Sequence, residues 1–247
     1  MKGLLNFAAL SMVVLAIVLT LPNFLSPMQA QSPPILLSQK VNFQPPDVDA
    51  PDNQKRATSA GVSPCPADLS IIPLMPPTNI GLTLTESPTF FAYVSPNSTE
   101  VEFTLQADDE KGTEVYTTTF KVEKPGIIEV SIPDKGSRKT SIEVKKRYKW
   151  WFSVACDPDE RAGDYYVVGF VKRIEPQETL KNDLANPDPM ARAIAYAKNG
   201  IWYDTLTTLA QMRRQAPDDP MLKAEWTELL KSQKLESVAD KPLVQSF

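Results

Sequence analysis

Apolar and polar residues alternate one by one through much of the chain between residues 80 and 174. This period of two is typical of β-strands that bury one face and leave the other in water. The clearest alternating runs are residues 100–106, 116–122 and 128–132. Turns containing Pro or Gly separate these runs. Seven or eight such strands predict an antiparallel β-sandwich of immunoglobulin-like architecture over residues 69–175.

The last two predicted strands, residues 147–156 and 165–171, are apolar on both faces. We expect the outer side of this pair to carry four large apolar side chains, those of Trp151, Tyr165, Val167 and Val171. Left in water, these side chains would form a larger apolar patch than a soluble monomer usually exposes. The pattern therefore predicts a cover on the outer side of the sheet.

After residue 176 the apolar spacing becomes that of helices, so the predicted fold class is α+β with a short helical region over residues 176–247. Asp188-Pro189 and Asp219-Pro220 are typical helix starts, and Asn199-Gly200 is a typical stop. The apolar stripes of these helices contain Trp202, Leu206, Trp226 and Leu230. These helices are too few to bury their own stripes, so we expect them to dock on the face that carries Trp151.

The N-terminus has the pattern of an export signal over residues 1–30. Residues 4–21 are almost entirely apolar, Lys2 precedes them, and Met28-Gln29-Ala30 offers a cleavage site. The apolar run is also close to the shortest that spans a bilayer, so an uncleaved anchor is the alternative. Both interpretations place the rest of the chain in the periplasm, the cell envelope or the extracellular space.

Seven prolines punctuate residues 31–68, which are predicted to be an extended, mobile tether rather than part of a fold. The chain has two cysteines, Cys65 and Cys156. An even number in an exported chain favours a disulfide. The bond would close a loop of roughly 90 residues and stabilise the fold by at most roughly 4–5 kcal/mol. Two buried free thiols are the alternative.

Histidine is absent from the sequence. Ser-His-Asp and Cys-His catalytic systems, and His-based zinc, copper and haem sites, therefore cannot be built from this chain. The formal net charge of −4 indicates no preference for nucleic acid or anionic lipid. We expect no enzymatic activity, no cofactor and no nucleic-acid partner. Membrane contact is expected only through residues 4–21, if they are retained.

The loop after Cys156 is rich in carboxylates, namely Asp157, Asp159, Glu160 and Asp164. Such loops suit Ca²⁺, although this spacing does not fit the EF-hand pattern. Paired carboxylates can also hydrolyse glycosides. A polar hairpin loop without a ligand, in which Arg161 neutralises its neighbours, is favoured over both alternatives.

Two other groups of residues are candidate contacts. Trp151, Trp202 and Tyr203 could grip a sugar ring or a partner peptide, although packing between strands and helices is the simpler interpretation. A basic cluster could bind an anionic polymer, although a charged edge strand is favoured. This cluster contains Arg138, Lys139, Lys145, Lys146, Arg147 and Lys149.

Residues 196–217 resemble one tetratricopeptide unit. The matching positions are Tyr196, Gly200, Trp202, Leu209 and Pro217. Thr205 and Arg213 depart from the pattern, where small and apolar residues are usual. Because a solenoid needs about three repeats for stability, a lone unit must pack on the strands or on a partner.

Residues 64–245 resemble a family of exported cyanobacterial proteins known only as a domain of unknown function. The resemblance rests on long strings such as NIGLTLTESPTFFAYV, EVEFTLQADDEKGTEVYTTTF, RYKWWFSVACDPDERAGDYYVVGFVKRIEP and GIWYDTLTTLAQMRR. It implies a cyanobacterial source and an exported location. It implies no activity and no functional residue.

The leading functional hypothesis is a non-catalytic interaction or assembly module of the cell envelope. The sandwich would be its rigid body, and the helical hairpin would offer a groove to another envelope protein or a peptide segment. The alternative is a carbohydrate-binding or carbohydrate-active protein that uses the acidic loop 157–164.

The export signal can be tested directly. Mass spectrometry of the mature protein is expected to find its N-terminus near Gln31, since cleavage follows the Met28-Gln29-Ala30 site. An intact Met1 in the membrane fraction would instead identify residues 4–21 as an anchor.

Overall fold

The computed structural model describes residues 40–48, 65–95, 99–133, 140–157, 159 and 163–247. The predicted signal peptide lies outside them. Within the described residues, two β-sheets and four α-helices form an α+β fold. The strands are β1 (Ser70–Pro73), β2 (Ile80–Thr83), β3 (Thr89–Ser95), β4 (Thr99–Ala107), β5 (Glu114–Val122), β6 (Gly126–Ser131), β7 (Arg147–Val154), β8 (Tyr165–Arg173) and β9 (Leu243–Ser246). The helices are α1 (Glu178–Leu184), α2 (Pro189–Lys198), α3 (Trp202–Gln215) and α4 (Pro220–Ser232).

One sheet has the strand order β1-β3-β6-β9, and the other has the order β2-β8-β7-β4-β5. Two of the pairings are parallel, namely β2 with β8 and β6 with β9. The prediction of purely antiparallel sheets is therefore wrong at these positions. The two strands that pair in parallel, β2 and β9, lie at sheet edges. Each forms hydrogen bonds with backbone groups of β8 or β6 that would otherwise face solvent unpaired.

The two sheets contribute side chains to one hydrophobic core. The ring of Phe90 in β3 lies 4.9 Å from that of Phe103 in β4 and 5.6 Å from that of Trp150 in β7, centroid to centroid. Val101 and Leu105 point inward with Phe103, as the period-two alternation predicts. The aromatic rings thus join the sheets through tilted and edge-to-face contacts, which are favourable ring geometries.

The helices join the same core through α3. Trp202 and Tyr203 in its first turn are completely or almost completely buried. The indole N–H of Trp202 donates to the carbonyl of Leu74 at 2.8 Å. Gly81 lets the helix approach this closely, because a Cβ atom there would lie 2.7 Å from the Tyr203 ring. No helix in the described part of the chain combines the length and hydrophobicity that a membrane span requires.

The helices do not pack on Trp151, although Leu180 of α1 and Ala195 of α2 cover Leu82 at the β2 edge of the same face. In the register of β7 with β8, Trp151 lies opposite Val168, and Phe152 lies opposite Val167. Three residues predicted to share the outer face with Trp151 therefore lie on the core side instead, namely Tyr165, Val167 and Val171. The predicted docking is confirmed for Val167 and Val171, which share the core with Trp202, Leu206, Trp226 and Leu230. It is wrong for Trp151, since alternation shows which residues of one strand share a face but not how two strands are aligned.

Residues 40–48 pack against the helices, contrary to the mobile tether expected for residues 31–68. Val41 and Phe43 are buried, and the Phe43 ring meets that of Trp202 edge-on at 4.8 Å. The amide N–H of Gln44 donates to the carbonyl of Ala197 at 3.0 Å. The two apolar side chains explain the packing, because they extend the core over α2 and α3.

The predicted disulfide is confirmed. Cys65 and Cys156 are bonded, with their Cα atoms 4.7 Å apart, within the usual range for a disulfide. The bond joins the segment before β1 to the end of β7 across 91 residues. It therefore restricts the unfolded chain over most of the β region.

The contribution of the buried Tyr203 hydroxyl to stability can be tested by removing its oxygen atom. Its oxygen accepts from the Trp150 indole at 2.7 Å and donates to the Phe170 carbonyl at 2.9 Å. We expect Tyr203→Phe to lower the free energy of unfolding by about 1–3 kcal/mol, because both buried partners lose a bond. Urea unfolding measures this change. The same deletion at Tyr166, which is 43% exposed, is the control and should lower stability by less than Tyr203→Phe does, since water replaces hydrogen bonds lost at an exposed position.

Candidate functional site

A cavity of about 290 Å³ lies on the face of the five-stranded sheet that carries Trp151. We call it the aromatic groove, and its lining residues are Glu102, Lys149, Trp151, Ser153, Asp164, Tyr166 and Val168. The register of the sheet explains their proximity. Ser153 in β7 lies opposite Glu102 in β4 and opposite Tyr166 in β8, so all three share one face.

The aromatic groove combines aromatic surface with polar groups. Trp151 is half-buried and Tyr166 is 43% exposed, so both rings can be reached from solvent. The Lys149 ammonium lies 6.0 Å from the centroid of the Trp151 ring, a cation–π distance. The hydroxyl of Ser153 is buried and has no hydrogen-bond partner among the described residues. Such a hydroxyl is costly unless a water or a ligand satisfies it.

The structure separates the three predicted aromatic contacts. Only Trp151 lies at an accessible surface. Trp202 is 0% exposed and Tyr203 is 2% exposed, so neither ring is available as a surface contact for a sugar or a peptide. Their prediction as contacts is wrong because both residues lie in the first turn of α3, which is buried in the core.

The acidic loop contributes one residue to the aromatic groove, Asp164. Asp157 closes a local turn by accepting from the amide of Asp159 at 2.9 Å. Glu160 and Arg161 lie outside the described residues. In the described part of the chain, no three or more acidic or cysteine side chains cluster as a metal site would require.

Two members of the basic cluster form ion pairs with nearby carboxylates. Arg147 forms an ion pair with Asp108, and the Lys146 ammonium lies 2.8 Å from the Glu143 carboxylate. Lys149 alone among the described members lines the aromatic groove. Arg138 and Lys139 lie outside the described residues. The described part of this cluster therefore forms local ion pairs on the surface, which contribute little to stability.

A second cavity, of about 300 Å³, lies beside α3. We call it the threonine pocket. Its lining residues are Thr85, Ser87, Pro88, Thr89, Tyr196, Tyr203, Asp204, Thr207, Thr208 and Gln211. Asp204 accepts hydrogen bonds from the Thr83 hydroxyl at 2.7 Å and the Leu84 amide at 3.2 Å. Burial raises the pKa of the Asp204 carboxyl from 3.8 to about 6, although these hydrogen bonds oppose the shift.

The sequence gives no signal for the threonine pocket. Asp204 occupies the first turn of α3, where an acidic residue is ordinary because it complements the helix dipole. The pocket forms only when Thr83 and the residues after it meet α3, some 120 positions further along the chain. Pairing between segments so distant leaves no local pattern.

The fold and the aromatic groove together define a β-rich α+β domain with a concave surface on its larger sheet. Residues 54–243 match the model of the family described as Domain of Unknown Function (DUF928), and the chain belongs to this family. No match was found among curated proteins.

The partly buried carboxyl of Asp204 predicts an unusual pH dependence of stability. Between about pH 4 and pH 6 the folded protein retains a proton that the unfolded chain has lost, so stability falls as the pH rises through this window. Asp204→Asn removes the charge but keeps an oxygen for Thr83 and Leu84. At pH 8 we expect the variant to be more stable than the wild type, by up to roughly 3 kcal/mol.

Urea unfolding at pH 4 and at pH 8 measures this difference, which should shrink towards zero at the lower pH. Asp218→Asn, at an exposed position, is the matched control and should show no such dependence. Equal stability of Asp204→Asn and wild type at pH 8 would contradict the claim that the ionised Asp204 carboxylate destabilises the folded protein.

Proposed function

We propose that this chain is an exported, non-catalytic binding module of a cyanobacterial cell envelope, and that it binds its ligand in the aromatic groove. The observation that carries the proposal is the pair of accessible rings, Trp151 and Tyr166, on one face of the larger sheet. The α3 helix packs on the opposite face, where Tyr203 bonds to Trp150. The rings of Trp151 and Tyr166 therefore stay available to a ligand.

A carbohydrate is the ligand class that best fits this groove. Aromatic rings pack against the C–H faces of a sugar, and the surrounding polar groups can bond to its hydroxyls. Lys149 supplies donors, and the carboxylates of Glu102 and Asp164 supply acceptors. The buried Ser153 hydroxyl would gain the partner that it lacks among the described residues.

Binding fits the groove better than hydrolysis. A glycosidase needs two carboxyl groups that flank the scissile bond and act on it. The two in this groove, Glu102 and Asp164, interact with protein groups, and these interactions would hold them in place as hydrogen-bond acceptors. In this proposal they orient the ligand, and the two sheets form an immunoglobulin-like sandwich that holds the groove rigid together with the disulfide.

A protein partner is the second candidate, with its site between α1 and α2, which largely precede the tetratricopeptide-like residues 196–217. A cavity of about 680 Å³ lies along these helices and is lined in part by Asn182, Asn186 and Lys198. Asparagine side chains can bond to the backbone of an extended peptide.

The two candidates predict different effects of substitution. We expect Trp151→Leu to weaken carbohydrate binding at least about tenfold, since it removes the ring but keeps an apolar side chain. Trp151→Phe should retain part of the affinity because it keeps a ring. A glycan array with the mature protein identifies the sugar, and calorimetry with that sugar measures the affinities.

The double variant Asn182→Ala, Asn186→Ala alters the cavity along α1 and α2 and leaves the aromatic groove intact. It is the control, and its carbohydrate affinity should equal that of the wild type. Unchanged sugar binding by Trp151→Leu, or no selective binding on the array, would reject the aromatic groove. If cross-linking in the native envelope captures a protein partner that only the asparagine variant loses, the site between α1 and α2 is supported instead.

A further inference from the structure

We propose that the threonine pocket binds a primary ammonium group, with Asp204 as its counter-ion. The pocket shares no lining residue with the aromatic groove. The inference is therefore independent of the carbohydrate proposal. It rests on the hydrogen-bonding capacity of the pocket wall, on the charge of Asp204 and on the size of the cavity.

The wall formed by α3 presents hydrogen-bond acceptors. The hydroxyls of Thr207 and Thr208 donate to the carbonyls of Tyr203 and Asp204, at 2.8 and 2.7 Å. A hydroxyl has one proton, so each oxygen is left with lone pairs alone. The Asp204 carboxylate is also an acceptor when ionised. A complementary ligand must therefore supply several donors at one point.

Asp204 also lacks a compensating charge. Its hydrogen bonds come from neutral groups, the Thr83 hydroxyl and the Leu84 amide. Across the described ranges of the chain, no lysine or arginine forms an ion pair with it. The guanidinium of Arg192 is engaged elsewhere, donating to the carbonyls of Asn186 and Pro187. A partly buried carboxylate with neutral partners alone is best stabilised by a cation.

The geometry favours an ammonium over a guanidinium. The Asp204 Oδ2 atom already accepts two hydrogen bonds, so a guanidinium could not pair with both carboxylate oxygens without competing for it. An ammonium is compact and donates in three directions, which suits acceptors that converge from one helix. The ring of Tyr196 also lines the cavity and can attract a cation.

The cavity is large enough for more than the charged head. About 300 Å³ is at the lower end of the range for small-molecule sites, and it accommodates an ammonium together with a short alkyl chain. A lysine side chain of a partner or a small aliphatic amine has this form.

Titration of the mature protein with n-butylammonium, followed by amide and methyl NMR shifts, tests the proposal. We expect saturable shifts centred on Asp204, Thr207 and Thr208. Tetramethylammonium has the same charge but no N–H donor, and should bind at least about tenfold more weakly. n-Butylguanidinium should also bind more weakly than the amine.

Two variants separate the charge from the hydroxyl acceptors. Asp204→Asn keeps the shape of the pocket and should weaken n-butylammonium binding at least about tenfold, whereas Asp218→Asn should leave it unchanged. Thr208→Val removes one acceptor at constant shape and should weaken it about threefold. Absence of saturable shifts, equal affinity for tetramethylammonium, tighter binding of the guanidinium, or unchanged affinity of Asp204→Asn would each overturn the proposal.

Discussion

The hydroxyl of Tyr203 is the contact on which the arrangement of this protein depends. It joins α3 to the larger sheet by accepting from the Trp150 indole and donating to the Phe170 carbonyl. The Phe90 ring of the smaller sheet lies 5.3 Å from the Tyr203 ring, so one side chain meets both sheets. Full burial raises the pKa of this phenol well above its usual value, and it therefore remains a neutral donor.

This contact also imposes a constraint on the strand opposite Trp150. Gly169 faces Trp150 in the register of β7 with β8, and a Cβ atom there would lie 2.2 Å from the indole ring. Only glycine leaves room over β8 for the indole, whose N–H donates to Tyr203. Because successive side chains alternate along a strand, burying Trp150 against α3 leaves the neighbouring Trp151 on the other face. The location of the aromatic groove thus follows from the way the core is packed.

Local patterns in the sequence predict the elements well. The period-two runs become strands with the expected residues inside, and Asp188 and Asp219 cap α2 and α4 by accepting from the amides of Met190 and Met221. These features depend on neighbouring residues alone. The disulfide could be predicted because the chain has one pair of cysteines.

The arrangement of the elements could not be predicted in the same way. The face covered by the helices depends on the register between β7 and β8, which alternation leaves undetermined. Strand β9 is only four residues long and follows helices, so its pairing with β6 leaves no pattern of its own. The threonine pocket likewise depends on contacts between residues far apart in the chain. The sequence therefore pointed to one wall of the aromatic groove, Trp151 and Asp164, and missed the threonine pocket.

The hydrogen bond from the amide of Val41 to the Glu225 carboxylate joins residues 184 positions apart, and the bond from Trp202 to Leu74 joins residues 128 apart. Contacts of this kind make folding slow, because the entropy of closing long loops is lost before the contacts form. A β-rich domain with such topology folds on a timescale of roughly milliseconds to seconds. During that interval the apolar strands β7 and β8 are uncovered, so self-association competes with the docking of α3.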